Sequence, residues 1–408
     1  MKQYNKNKMN AKNFDIIMYT NADGLGSGCI AHAHRLPFIK GIAKAMEGTG
    51  KVLVVLRYRS IPQCWFGNNA NKRSASSDKS GLNQLSENLW TIRPTVIGNT
   101  VLASYFKPMR WNLLRQQRKN INQAAALLDM DNKRIAWMTH PYHYLYRGCA
   151  NESAVVYECY DDLTYNRSTG KSSRGTKLLE LKLARKAHLN LATVDALYER
   201  LRTVNKNTKL IQNGVMFELF SRCRTGCIDV APQIKNLPRP VVGMIGTLQK
   251  GYDFKLINRI IENKPTWSFV YVGDFASSAK SNIARLVTYP QFHMFGWVPR
   301  EELLKYLSGF DVAIVPFKTN DWSKTINPLK ICEYFAAGIP VVATGIDAIY
   351  NYKACVDVCH SSHDFIKAIE RVLNGESDDK IRKGIQIAKS LSWETITLDI
   401  VNELNELV

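Results

Sequence analysis

The chain has 408 residues, 45% of them hydrophobic and 22% charged, which gives room for two globular domains and excludes a low-complexity or fibrous chain. Fifty-five Lys and Arg against 35 Asp and Glu leave a net charge of +20, so an acidic partner is expected: a phosphorylated substrate, an anionic membrane surface or a nucleic acid. No run approaches about 18 uninterrupted apolar residues, the basic polar start lacks the apolar core of a secretory signal, and nine scattered cysteines point to a reducing, cytoplasmic setting rather than a disulfide framework.

In chain order, apolar runs predict strands at 14–19, 52–56, 89–92, 134–138, 154–157, 189–192 and 209–211, with helical stretches between them. A polar, proline-containing connection (213–240) leads to a second series at 240–248, 268–274, 292–298, 311–317, 340–344 and 356–360. Such alternation predicts an α/β protein of two Rossmann-like lobes facing a cleft, with ligands beyond the carboxyl ends of the parallel strands. The expected domains are 1–212, 213–391 and a C-terminal amphipathic helix, 392–408.

Three segments of the first half bear on chemistry. The glycine-rich stretch 22–43 lacks the dinucleotide-binding spacing, so no dinucleotide fingerprint is read there. "WMTHPYHYLY" (137–146) places His140 at a strand end, where a histidine contacts a ligand or serves the local structure. "AVVYECYDDLTY" (154–165) is an apolar strand ending in Asp161 and Asp162. These suit a general base, with mutual repulsion raising one pKa, or a helix cap. Positive charge gathers in two places: eleven Lys and Arg against three acids between Asn166 and Leu210, and "FKPMRWNLLRQQRKN" (106–120), basic and studded with apolar residues. Such a segment fits an anionic membrane surface or a solvated helix face.

In the second half, "MIGTL" sets Gly246, Thr247 and Leu248 after a strand, and "FGWVPREEL" sets Val298 before a helix. "NPLKICEYFAAGIPVVAT" (327–344) reads as a helix over 328–337, with Asn327 as N-cap, Pro328 at the first position and Gly338 as the stop. Its N-terminal N–H groups favour an anion, Lys330 adds a full charge, and Glu333 lies one turn on. An ordinary ion pair between Lys330 and Glu333 is the alternative. Cys355, Cys359, His360 and His363 lack a standard metal-ligand spacing, and no metal is expected.

The ordered set "NGV", "GMIGTL", "SFVYVGD", "FHMFGWVPREELLKYLSGFDVAIVPF" and "NPLKICEYFAAGIPVVATG" resembles the nucleotide-binding lobe of GT-B glycosyltransferases over about 190 residues, 211–401. The resemblance implies a nucleoside-diphosphate sugar of the UDP or GDP type as co-substrate, with no further cofactor. It also implies acceptor contacts in the stretch 22–43, with His32, His34 and Arg35 as candidates, and a C-terminal helix, 392–408, that packs back on the first lobe. Lys330 would contact the co-substrate's diphosphate and Glu333 its ribose hydroxyls. Gly246, Thr247 and Leu248 would line the phosphate and base edge, Val298 would meet the base, and Phe317 and Leu329 would form apolar walls. Many retaining members carry a second glutamate eight positions before the first; here that position is Thr325. The segment around Asp161 resembles inverting glucuronosyltransferases of the xanthan pathway, which implies Asp161 as base and an inverting transfer, with His140 at the sugar or acceptor. The implied partners are a nucleotide-sugar donor, a glycan or lipid-diphosphate-linked acceptor and the inner face of the cell membrane, with no nucleic acid. A non-catalytic sugar-nucleotide-binding protein, or a basic nucleic-acid-binding protein, is the alternative.

Overall fold

A computed structural model describes residues 13–21, 35–57, 59–60, 81–97, 106–166, 171–319 and 329–408. His32, His34, Thr325, Asn327 and Pro328 lie outside these residues. The chain divides into two compact units, Met1–Ile211 with Thr397–Val408, and Gln212–Ile396.

The first unit is built on strands β1 (Phe14–Tyr19), β2 (Val52–Val55), β3 (Leu82–Ser86), β4 (Leu89–Ile92), β5 (Lys133–Met138), β6 (Ala154–Cys159), β7 (Leu189–Ala192) and β8 (Thr208–Leu210), in the sheet order β8-β7-β6-β5-β1-β2-β4-β3. All neighbours are parallel except the β3–β4 hairpin. Every residue of β1, β2, β6 and β7 is buried, because helices α1 (Arg35–Ala45), α2 (Lys107–Leu127), α3 (Arg174–Lys186) and α4 (Asp195–Arg202) connect parallel strands and cover the sheet faces. The buried Asp15 on β1 accepts from the backbone N–H of Lys51 (2.8 Å) and Asn132 (3.3 Å), which fastens the starts of β2 and β5 to β1. Strand β3 was not expected from the sequence. It is a half-exposed antiparallel edge without an apolar run.

The second unit is an all-parallel sheet of β9 (Val241–Ile245), β10 (Ser268–Val272), β11 (Phe292–Phe295), β12 (Val312–Val315), β13 (Val341–Thr344) and β14 (Val356–Cys359), ordered β11-β10-β9-β12-β13-β14. Helices α5 (Phe254–Asn263), α6 (Arg300–Leu307), α7 (Leu329–Ala337), α8 (Ser362–Leu373) and α9 (Asp378–Ser390) accompany it. The chain winds outward from β9 through β10 to β11, then returns to β12 on the other side of β9. The carboxyl ends of β9 and β12 therefore flank the point where the winding reverses, the expected crevice for a ligand in an open sheet. Helix α7 begins at Leu329 and ends at Gly338, whose φ of +73° supplies the left-handed stop.

The last helix, α10 (Trp393–Asn405), starts in the second unit, where Trp393 lies against Gly214. Its residues from Thr397 onward belong to the first unit: Thr397 faces Gly41, and Glu403 pairs with Lys209.

Candidate functional site

The switch point of the second unit gathers three of the residues singled out in the sequence. Gly246 follows β9 with a φ of +104°, and a Cβ there would lie 2.6 Å from the Lys330 Nζ. Lys330 donates to the Tyr252 hydroxyl at 2.5 Å, and its ammonium lies 5.3 Å from the Tyr252 ring centroid and 5.9 Å from that of Phe317. The two rings lie 4.7 Å apart and tilted, so the cation is held on an aromatic pair directly over a glycine turn. The residues following β9 and β12 meet in an isolated bridge between Tyr252 and Phe317, and the Phe317 N–H donates to Thr344 Oγ1 at 2.9 Å. Gly273, after β10, has φ +143°, and any side chain there would run into the Gly246 carbonyl, so the two turns nest backbone to backbone.

Glu333 stands one turn along α7, half-buried. Among the described residues its carboxylate makes no hydrogen bond or salt bridge, so the simple ion pair with Lys330 is not formed. Burial raises the carboxyl above the ordinary carboxylate range, against the pull of the positive charges on Arg300 and Lys330. An unpaired carboxylate beside two cations, at the amino end of a helix, can accept two hydroxyl donors once an anion settles on Lys330.

The remaining candidates of this unit lie nearby in the chain but differ in role. Thr247 is exposed in the glycine turn. Leu248 is fully buried; its N–H donates to the Asp274 carbonyl (3.0 Å) and its carbonyl accepts from Ala276 N–H (2.8 Å). It therefore anchors the turn from inside and does not line it. Val298 is half-buried after β11, and Leu329 is half-buried at the first position of α7. Sequence reasoning missed Tyr252 and Arg300. A tyrosine two residues after "QK" carries no signal until the turn after β9 meets the end of β12, and Arg300 reads as a routine first-turn residue of α6.

In the first unit, Asp161 follows β6 and accepts from the Asp162 N–H at 2.8 Å. Asp162 is committed elsewhere: it accepts from Thr164 Oγ1 (2.6 Å) and Arg200 Nη1 (3.0 Å), and Arg200 also pairs with the buried Glu180 (3.0 Å). Burial alone would raise the Asp162 carboxyl, yet the bonds from Thr164 and Arg200 bring it below the usual range. The raised pKa expected from repulsion between the two aspartates is thus not found on Asp162; its neighbour is a cation. Arg35, offered as an acceptor contact, is instead buried with Glu158, which also accepts from Trp137 Nε1 at 2.8 Å.

His140 caps the short 3-10 helix Pro141–Tyr146, its Nδ1 accepting from Tyr142 N–H at 3.2 Å. Burial lowers its pKa to about 4, so the ring is neutral at pH 7.

Residues 239–375 match the family model described as glycosyl transferases group 1. The chain is 28% identical over 289 residues, 65% of its length and 70% of the relative's, to TuaH of Bacillus subtilis (strain 168), named as a teichuronic acid biosynthesis glycosyltransferase. Among solved structures it resembles Anabaena HepE in complex with UDP and glucose, with a TM-score of 0.64, 15% identity and coverage of 96% of this chain and 99% of that one. It also resembles sucrose-phosphate synthase from Thermosynechococcus elongatus, with a TM-score of 0.68, 15% identity and coverage of 97% and 99%. The second unit therefore carries a match to the group 1 glycosyltransferase domain, and the chain has the GT-B fold.

Proposed function

We propose that the chain transfers a hexosyl group from a nucleoside-diphosphate sugar of the UDP or GDP type to a glycan or lipid-diphosphate-linked saccharide, in the assembly of a cell-surface polysaccharide. The observation that carries this reading is the placement of Lys330. Its ammonium is fixed over the Gly246 turn at the switch point, and one turn away stands the Glu333 carboxylate, unpaired among the described residues. Lys330 and the amino end of α7 hold the diphosphate and offset the charge that develops as it leaves, so the transfer is expected without a metal. Glu333 accepts from the ribose hydroxyls. HepE has been solved with UDP-glucose, and TuaH is named for teichuronic acid biosynthesis, which supports both the donor class and the pathway class.

Asp161 is the first-unit carboxylate proposed as base, because Asp162 is engaged by Arg200 and Thr164. The inverting course rests on Asp161 alone, and the anomeric configuration of the product decides it: retention removes the base role.

Thermal stabilisation by UDP, GDP, dTDP and CMP tests the reading on the wild type, Lys330→Ala and Tyr252→Phe. One nucleoside diphosphate at a hundred times its Kd should stabilise the wild type by about 2.7 kcal/mol. Lys330→Ala should lose the response. Tyr252→Phe keeps the ring but not the hydroxyl that holds the ammonium, and should weaken binding by about tenfold. No response to any nucleotide, or an equal response from Lys330→Ala, overturns the assignment.

A further inference from the structure

The first unit holds a cavity of ≈ 280 Å³ at the carboxyl ends of β1, β2 and β5. Its wall includes Asn21, Arg57, His140 and His143, none of which the donor site uses. The hydrogen bonds around it fix what these side chains can offer. His143 Nδ1 accepts from the Thr139 N–H (3.3 Å), so the ring hydrogen sits on Nε2, which donates to Asn21 Oδ1 (3.4 Å). With its oxygen engaged, Asn21 presents the NH₂ end. His140 Nδ1 accepts from Tyr142 N–H, so its hydrogen also sits on Nε2, which has no partner among the described residues. Arg57 is exposed and forms no ion pair among the described residues. These three residues all point to one complement: a ligand group that accepts hydrogen bonds and carries negative charge. The Tyr142 ring, stacked on His140 at 5.3 Å and 10°, adds a flat surface for the face of a sugar. Gln117 Oε1 and the Tyr19 hydroxyl on the same wall are buried without hydrogen bonds among the described residues, so the wall is polar rather than an apolar packing gap.

We propose that this cavity binds an oxyanion-bearing sugar, a saccharide unit with a carboxylate or a phosphate ester, through Arg57, Asn21 and His140. That this sugar is the acceptor rests on the glycosyltransferase reading; that the cavity binds it does not.

The full chain is titrated by ligand-observed NMR with methyl β-glucuronoside, glucose 6-phosphate and methyl β-glucoside, as wild type and as Arg57→Met. The substitution sits at an exposed position and keeps an unbranched side chain, so folding is preserved. One charged sugar should bind about tenfold more tightly than methyl glucoside, and Arg57→Met should remove that preference. A preference for the glucuronoside identifies a carboxylate, and a preference for glucose 6-phosphate identifies a phosphate ester. Equal binding of charged and neutral sugars, no binding of any of the three, or a preference unchanged in Arg57→Met overturns the proposal. UDP is titrated alongside: its failure to bind counts against the donor assignment and leaves the cavity result intact.

Discussion

A half-buried carboxylate with no hydrogen bond opposes folding for as long as it is charged. Among the described residues Glu333 is in that position, its pKa raised by burial more than Arg300 and Lys330 lower it. For a raised carboxyl the favourable contribution is complete below the unfolded value and is lost as pH rises through the folded value. At pH 7.5, well above the unfolded value, Glu333 therefore costs stability, and Glu333→Gln should melt higher than the wild type without nucleotide. The gain should shrink on acidification and vanish near the ordinary glutamate value of about 4.3. The same variant should bind the nucleoside diphosphate about tenfold more weakly, because an amide accepts poorly from two ribose hydroxyls. A lower melting temperature at pH 7.5 would mean that the carboxylate has a stabilising partner in the free protein, and would remove it from the ribose. The placement of Lys330 and Glu333 one turn apart on a short helix was legible in the sequence, because that spacing, bounded by Gly338, needs only local geometry. Tyr252 was not: it is 78 residues from Lys330, and only the side-by-side placement of β9 and β12 brings its hydroxyl to the ammonium. Leu248, assigned to the phosphate and base edge by resemblance, is instead fully buried, because the turn after β9 folds back inward.

At the scale of elements, the parallel strands were legible because both of their faces are covered, which leaves continuous apolar runs. The edge strand β3 was not, since its pattern of exposed and half-buried residues looks like a loop. Helix α2 shows how one element can serve two surroundings. It turns Leu113, Ile121, Ala124 and Ala125 inward, and it contains five basic residues and no acidic ones. Trp111 is 65% exposed with the Arg115 guanidinium 5.5 Å from its ring centroid, and Phe106, immediately before the helix, is 68% exposed. This surface fits the peripheral membrane association expected from the basic, apolar-studded sequence. The full chain should pellet with phosphatidylglycerol-containing vesicles and stay free with phosphatidylcholine alone. A double change, Trp111→Ser with Arg115→Gln, should lower the partition by about tenfold, given about 1 kcal/mol per basic residue near an anionic surface. High salt should act in the same direction. Equal partition into both kinds of vesicle would leave α2 as an ordinary solvated helix.

At the scale of the whole molecule, α10 makes a division that the chain order alone hides, because the last twelve residues belong to the unit that the chain left at Ile211. The amphipathic pattern of 392–408 shows an apolar face in the sequence but not which unit that face covers. Within the first unit Ile400, Val401 and Leu404 are all buried, at 1%, 5% and 0% exposure. Each such side chain contributes about 1.5–3 kcal/mol by its burial, so their joint removal should exceed a substantial share of the 5–15 kcal/mol by which a domain is stable. Ending the chain after Ile396 should therefore destabilise the first unit while leaving the complete β9–β14 sheet and its Lys330 site in place. In calorimetry the truncated chain should lose or sharply lower one transition, and the nucleoside diphosphate should still raise the other. Loss of nucleotide stabilisation together with the first unit would show that the donor site depends on more than Gln212–Ile396. Truncation without any change would show that α10 adds no stability to the unit in which its last residues are buried.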